Sequence, residues 1–352
     1  MGTGYISADS HVTEPIELYA ERVDNEFKSR VPHIVDRDGW RTVEAEGLAP
    51  RKLMSTAQLQ VATVGAPDPE QRQREQSDDG VVAEVVYPTW ALNAAFVGDP
   101  SLQMALSRAY NNWALENLMS AHRSLPVAMI PMSDVAGAIA EAQRVTAEGF
   151  RALSLPCRLD GREYNDPIFE PFWDAADELG LPLTFHSGTG YEPRLVHGQG
   201  ANVLNYVLGA QFDGPRVLLG LAAGGVLDRH QFLRIVATET GASWLGWVMT
   251  QADGVYVDHA NFSKTKLSDK PSEFIRRQCH ATFMVDPVAI KNRDVTGLDC
   301  LIWGNDYPHP EGTWPKSQTD AVRQLEGVSD NDRDAIMGGT AARVFGFDQA
   351  LL

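Results

Sequence analysis

Short runs rich in Val, Leu and Ile recur along the chain, separated by amphipathic stretches of helical length, the pattern of parallel strands joined by crossover helices. Eight such runs read as strands: "YISADSH", "AEVVYPT", "PVAMIPM", "RALSLPC", "LPLTFHSG", "LRIVATE", "HATFMV" and "CLIWGND". Between them, "DVAGAIAEAQRVTAEG" predicts a helix with Asp134 near its start and Gly149 as its stop, and "PIFEPFWDAADELG" repeats the design with Pro167 and Gly180. Eight strands are what a closed (β/α)8 barrel requires. An open doubly wound sheet commonly has about five to seven and carries a Gly-rich phosphate turn after its first strand. No G-x-G-x-x-G follows "YISADSH".

One region breaks the rhythm. "DRDGWRTVEAEG" reads as a hairpin around Gly39, and the polar segment after it ends in "PDPEQRQREQSDDG". Residues 36–78 are therefore expected to form an insertion over the barrel mouth, giving a distorted (β/α)8 TIM barrel within a single domain spanning residues 1–352. The last stretch, "DNDRDAIMGGTAARVFGFD", predicts a helix that seals the barrel wall.

Composition narrows the function classes. The 352 residues are 43% hydrophobic and 22% charged, as in an ordinary folded chain. Thirty basic against forty-seven acidic residues give a net charge of −17, which repels phosphate backbones and anionic lipid, so neither nucleic acid nor membrane is an expected partner. No run of eighteen apolar residues occurs, no basic-then-apolar leader opens the chain, and Ile6 stands where an N-terminal lipidation signal requires Ser or Thr. Cys157, Cys279 and Cys300 are odd in number and widely spaced, which fits a reducing cytoplasm better than a disulfide framework.

In a barrel, chemistry belongs at the C-terminal ends of the strands. Asp9 and His11 end the first strand, two apart and hence on one face. His186 ends the fifth, Glu239 the sixth and Asp306 the eighth. A mixed imidazole and carboxylate set suits one or two divalent ions, Fe, Zn or Mn, rather than calcium or copper. Such an ion lowers the pKa of water from about 15.7 to roughly 7, and Asp306 can then take a proton from the attacking water and pass it to the leaving group.

Other residues have competing readings. Glu14 extends the first-strand set as a further ligand, or begins a helix before Pro15. Glu239 is a ligand or a buried carboxylate paired with an Arg. His197 orients substrate, binds metal or lies on the surface; His309 holds Asp306. Tyr87 and Trp90 wall a substrate pocket or pack beneath a loop. Arg158 clamps an anionic group or is solvated. His280, at the start of the seventh strand, is expected at the far end in a structural role.

D-x-H at strand one, "FHSG" at strand five, "WGNDYPHPEGTWP" at strand eight and the tail "GGTAARVFGF" resemble the amidohydrolase superfamily. The likeness is to the branch that includes aminocarboxymuconate semialdehyde decarboxylase, the aromatic acid decarboxylases and a two-iron diterpenoid acyl-CoA thioesterase. The resemblance implies a metal held by Asp9, His11, His186 and Asp306, a small-molecule substrate, and a homodimer. One departure matters: where the mononuclear decarboxylases place a His after strand six, "ATETGASW" offers Glu239, a good ligand for a second ion. The expectation is thus a metal-dependent hydrolase in which both Asp306 and Glu239 serve catalysis, with an acyl-CoA thioester among the candidate substrates. A non-oxidative decarboxylase is the first alternative and an inactive binding protein the second.

Overall fold

Parallel pairing carries the chain around a closed ring. A computed structural model describes residues 4–37, 40–47, 51–52, 68–119, 123–190, 196–262 and 264–352. The strands are β1 (Tyr5–Val12), β2 (His33–Arg37), β3 (Trp40–Glu44), β4 (Arg51–Lys52), β5 (Val81–Pro88), β6 (Ser124–Pro126), β7 (Ala128–Met129), β8 (Leu153–Leu155), β9 (Pro182–His186), β10 (Arg234–Thr238), β11 (Cys279–Phe283) and β12 (Leu301–Trp303). Ladders run β1-β5-β6 and β7-β8-β9-β10-β11-β12. β6 and β7 are one staggered wall element: the Val127 N–H donates to Val86 and the Ala128 N–H to Ala152. The seam closes between β12 and β1, where Asp306 N–H donates to Asp9 O at 2.8 Å and His11 N–H to Tyr307 O at 2.5 Å. The eight apolar runs thus form a (β/α)8 barrel, the third in two pieces.

Two cores follow from alternation along the strands. Inward residues Ile6, Ala8, Ala83, Val85, Leu125, Val236 and Ile302 pack together inside the ring. Ala341, Ala342, Val344 and Phe345, from the helix Thr340–Phe345, join that same cluster. The terminal segment expected to seal the wall therefore also plugs the N-terminal end of the barrel. Outward residues such as Leu183, Phe185, Ile235 and Trp303 pack against the surrounding helices.

The segment 36–78 divides into parts. Its hairpin exists, with β2 and β3 antiparallel from His33↔Glu44 to Arg37↔Trp40, so it begins three residues before the expected start. Its last part, Pro69–Asp78, is a helix capped by Asp68, whose carboxylate accepts the Glu70 N–H at 2.9 Å. That helix packs on β1 and β5 as the crossover into β5. Residues 38–39, 48–50 and 53–67 lie outside the described residues, and with them part of the expected cover over the mouth. Among the described residues no helix is long and apolar enough to cross a membrane.

Candidate metal centre

The first strand reaches the mouth through an irregularity. Regular alternation from Ile6 would turn Ala8 and Ser10 inward, but the β1–β5 register shifts between Ser7 and Ser10. A bulge of this kind re-aims the side chains beyond it. Ala8 stays in the inner core while Asp9 and His11 both face the mouth, and Ser10 turns outward to donate to Glu84 at 2.8 Å. Arg72 fixes the outward face. Its guanidinium pairs with Glu84, donates to His11 O at 2.5 Å and to Ser10 Oγ at 2.9 Å, all in a buried setting.

His186 arrives as the regular inward residue at the end of β9. Its Nδ1–H donates to Ser187 O at 3.0 Å, which leaves the Nε2 lone pair directed at the site. Glu239 and Asp306 arrive differently, since both stand just past their strands with positive φ, 56° and 53°. For non-glycine residues this left-handed backbone costs free energy and concentrates at functional sites. At Glu239 it is held by the N–H donating to Thr282 Oγ1 at 2.8 Å. At Asp306 it is held by the seam bond to Asp9. Gly304, two residues earlier, must lack a side chain, because a Cβ there would lie 2.6 Å from the Asp9 Cβ.

The result is a buried ring of donors. His11 Nε2 lies 3.0 Å from His186 Nε2, 3.7 Å from Asp9 Oδ1, 3.7 Å from Glu239 Oε2 and 3.5 Å from Asp306 Oδ1. His186 Nε2 lies 3.1 Å from Glu239 Oε2 and 3.8 Å from Asp9 Oδ1. His309 Nδ1 contacts Asp306 Oδ1 at 2.9 Å, and its ring sits 4.2 Å from that of His11. Two overlapping donor sets emerge, Asp9/His11/His186/Glu239 and His11/Glu239/Asp306/His309, each with all atoms within 4.8 Å. Asp9 Oδ1 and Asp306 Oδ2 are buried without a hydrogen-bond partner. Buried, unsatisfied anionic oxygens cost free energy that a cation removes, so the residues fit a divalent ion.

Electrostatics agrees. Burial and the nearby carboxylates push Asp9 far above the usual carboxylate range, although His186 opposes this. Asp306 is raised to about 6, chiefly by burial, with Glu239 adding and His309 opposing. Burial lowers His11 to about 3. For His186 burial acts downward too, but Glu239 and Asp9 outweigh it and bring the imidazole to about 9. The same carboxylates that draw a proton to His186 draw a metal in its place.

Several sequence candidates lie elsewhere. Glu14, expected as a ligand, is turned away: Oε1 accepts from Tyr19 Oη at 2.7 Å, Trp90 N at 2.8 Å and Ala91 N at 2.7 Å, while Oε2 accepts from Thr89 N at 2.8 Å. It caps the 3-10 turn Ala91–Phe96 after β5, and it is in neither donor set. Trp90 is buried beside that turn and, with Tyr19, Pro32 and Ala45, lines a small cavity. Tyr87 is an inward residue of β5 beneath the site, its ring 5.1 Å from His186 and its hydroxyl 3.0 Å from Thr238 Oγ1. Arg158 is largely buried, with Nε 3.0 Å from Asp213 Oδ1, so its charge already has a carboxylate partner. It lines a cavity of about 210 Å³ with Phe96, Ile130 and Leu159. His197 is exposed and outside both donor sets. His280 donates to Asp299 O at 2.6 Å near the opposite end of the barrel.

His309 stands against Asp306 as its i, i+3 spacing in "DYPH" suggests, and it also joins the second donor set. Sequence reading missed Tyr206, whose hydroxyl lies 3.2 Å from Glu239 Oε1, because "ANVLNYVLGA" carries no chemical motif.

Solved structures of similar shape are numerous. An amidohydrolase from Mycobacterium avium subsp. paratuberculosis K-10 superposes with a TM-score of 0.78 at 17% identity, over 98% of this chain and 100% of that one. The 5-carboxyvanillate decarboxylase LigW from Sphingomonas paucimobilis gives 0.74 at 20% identity, over 99% and 100%. A dihydroxybenzoic acid decarboxylase from Polaromonas, solved with bound manganese and the inhibitor 2-nitroresorcinol, gives 0.68 at 17%, over 100% and 99%. At these identities the likeness establishes the barrel. The Amidohydrolase family model matches residues 69–347, most of the chain, and with the donor ring at the barrel mouth it makes this protein a member of the metal-dependent amidohydrolase superfamily.

Proposed function

We propose that the protein is a metal-dependent hydrolase acting on a carbonyl-type bond of a small organic substrate, with a donor set able to hold two ions. The observation that carries this reading is the ring of six donors, in which Glu239 stands with Asp9 and His186 on one side and with Asp306 and His309 on the other, while His11, which presents one nitrogen, serves a single ion. The mixed imidazole and carboxylate donors favour Mn, Fe(II) or Zn. When bound, such ions polarise a carbonyl and bring the pKa of water from about 15.7 to roughly 7.

The chain's own residues supply the rest. Asp306 has one oxygen fixed by His309 and the other without a partner, the geometry of a group that takes a proton from attacking water and returns it to the leaving group. His309, raised by Asp306 despite burial, orients that carboxylate. Glu239, held low because His186 and His11 outweigh the effect of its burial, stays anionic as a ligand. Tyr87 floors the site with an apolar ring.

Acyl-CoA thioesters are one candidate substrate class, alongside amides and esters, on the resemblance at strands one, five and eight. The test is to load the chain with each of the three metals and offer acyl-CoA thioesters, simple esters and hydroxylated aromatic acids. Release of free thiol or of carboxylic acid from an ester is expected. Release of CO2 from an aromatic acid, without hydrolysis, overturns the reading. One observation favours that second reading, a non-oxidative decarboxylase with Asp306 protonating carbon: the withdrawal of Glu14 leaves fewer carboxylates for a second ion. A single ion per chain together with CO2 release would establish it, and a fully loaded but inert chain would point to a binding protein.

A further inference from the structure

The donor sets meet at Glu239, and the two oxygens of that carboxylate have different surroundings. Oε2 faces the paired imidazoles, 3.1 Å from His186 Nε2 and 3.7 Å from His11 Nε2. Oε1 accepts a hydrogen bond at 3.2 Å from the hydroxyl of Tyr206, the one recorded for it among the described residues. The backbone under Glu239 has little freedom, because its left-handed φ is clamped by the N–H donating to Thr282. What Oε1 does is therefore decided by what touches it.

Tyr206 comes from an unusual element. It lies in a π-helical turn, Asn205–Ala210, that continues the short helix Ala201–Leu204. π-turns are rare and concentrate at functional sites. The segment lies beyond β9 at the mouth, and Val203, Leu204, Val207 and Leu208 on it are exposed. No buried residue pins the helix, so a shift of Tyr206 away from Oε1 disturbs no packed core. Among the described residues, the hydrogen bond of this mouth element to the donor ring is the one from Tyr206.

We propose that Tyr206 is a positioning residue that controls loading of the second ion: by donating to Glu239 Oε1 it keeps that oxygen uncoordinated and aims Oε2 at the His11/His186 pair. Filling the set completed by Asp306 and His309 then requires the phenol to release Oε1. This rests on the two-ion reading of the centre and adds to it a residue that sets the order and affinity of loading. The hydrogen bond to the carboxylate is charge-assisted, the stronger class, so its removal has a measurable effect.

The experiment is a titration of the metal-stripped full chain with Mn(II), comparing the unaltered protein with Tyr206→Phe. Bound ions are counted by elemental analysis, and pairing is read from the change of the isolated-ion EPR signal to a spin-coupled one. The ring is half-exposed and Phe keeps its shape, so the fold is expected to persist, as circular dichroism will check. The unaltered chain is expected to load in two steps. In Tyr206→Phe the first step weakens, because Oε2 is no longer aimed at the imidazoles, whereas the second tightens about tenfold, equivalent to about 1.4 kcal/mol, so the two steps draw together. A purely structural role would move neither the separation of the steps nor the onset of the coupled signal. Two steps of unchanged affinity in the variant would overturn the role of Tyr206 and leave the two-ion centre intact. A chain that binds one ion only, with or without the hydroxyl, at millimolar Mn(II) would overturn the two-ion reading and this inference with it.

Discussion

Glu14 and Asp306 are both buried carboxylates at strand ends, yet their surroundings give them opposite fates. Glu14 receives four hydrogen bonds, three from backbone N–H groups at the start of a 3-10 turn, so nothing remains to bind a cation. Asp306 has one oxygen without a partner beside two imidazoles. Replacing Glu14 by Gln puts an amide NH2 among those donors and is expected to cost about 1–3 kcal/mol of stability with metal content unchanged. Denaturant unfolding with parallel metal analysis checks this, and loss of metal without loss of stability would make Glu14 a ligand after all. Asp306→Asn removes the proton acceptor but keeps its shape. Turnover is expected to fall by roughly 10²–10⁴-fold while part of the metal stays, and a steady-state rate equal to that of the unaltered protein would refute the proton role. D-x-H and "FHSG" were legible as members of the donor ring because both sit at strand ends. The fate of Glu14 was not, because it depends on backbone N–H groups about 75 residues away.

At the scale of elements, the site is made where strands stop being regular. The bulge in β1 turns Asp9 and His11 toward the mouth, and left-handed residues after β10 and β12 turn Glu239 and Asp306 inward. Neither device has a strong sequence signature, although strand ends followed by short polar turns marked where to look. Gly304 is part of the same arrangement, since only a residue without a side chain lets β12 approach the backbone of Asp9. Gly304→Ala is expected to open the β12–β1 seam, lowering stability by about 1–3 kcal/mol and weakening metal binding together. Equilibrium unfolding and metal titration of the same preparation check it; unchanged values in both would show that the seam does not depend on that close approach. The helix Pro69–Asp78 has no apolar stripe to mark it in the sequence, because its surface is almost wholly polar. Its buried members, Arg72 and Gln76, act through an ion pair and hydrogen bonds to Glu84 rather than through apolar packing.

For the whole molecule, eight apolar runs at regular spacing were enough to predict a closed barrel, and the structure closes it. What spacing did not reveal was the plug. Phe345 and its neighbours continue a helical pattern that looks the same whether it covers the wall or the end of the ring. Near that end, His280 is held neutral by burial, its pKa lowered to about 4 against an ordinary 6.5. The unfolded chain therefore binds more protons between those values. The stability that His280 contributes is complete above pH 6.5 and is lost as pH falls toward 4, by an amount on the order of 3 kcal/mol. Thermal unfolding of His280→Asn beside the unaltered protein, at pH 7 and pH 4.5, is expected to show a smaller pH-dependent loss in the variant. Equal slopes would contradict the assignment.

The central claim is that donors from four strands converge on one cation site. The most direct test is the number of metal ions bound per chain in protein reconstituted with Mn(II), for the unaltered sequence and for His186→Ala, with circular dichroism to verify the fold. One to two ions in the first and none in the still-folded second is the predicted result. Full metal content in folded His186→Ala would contradict it.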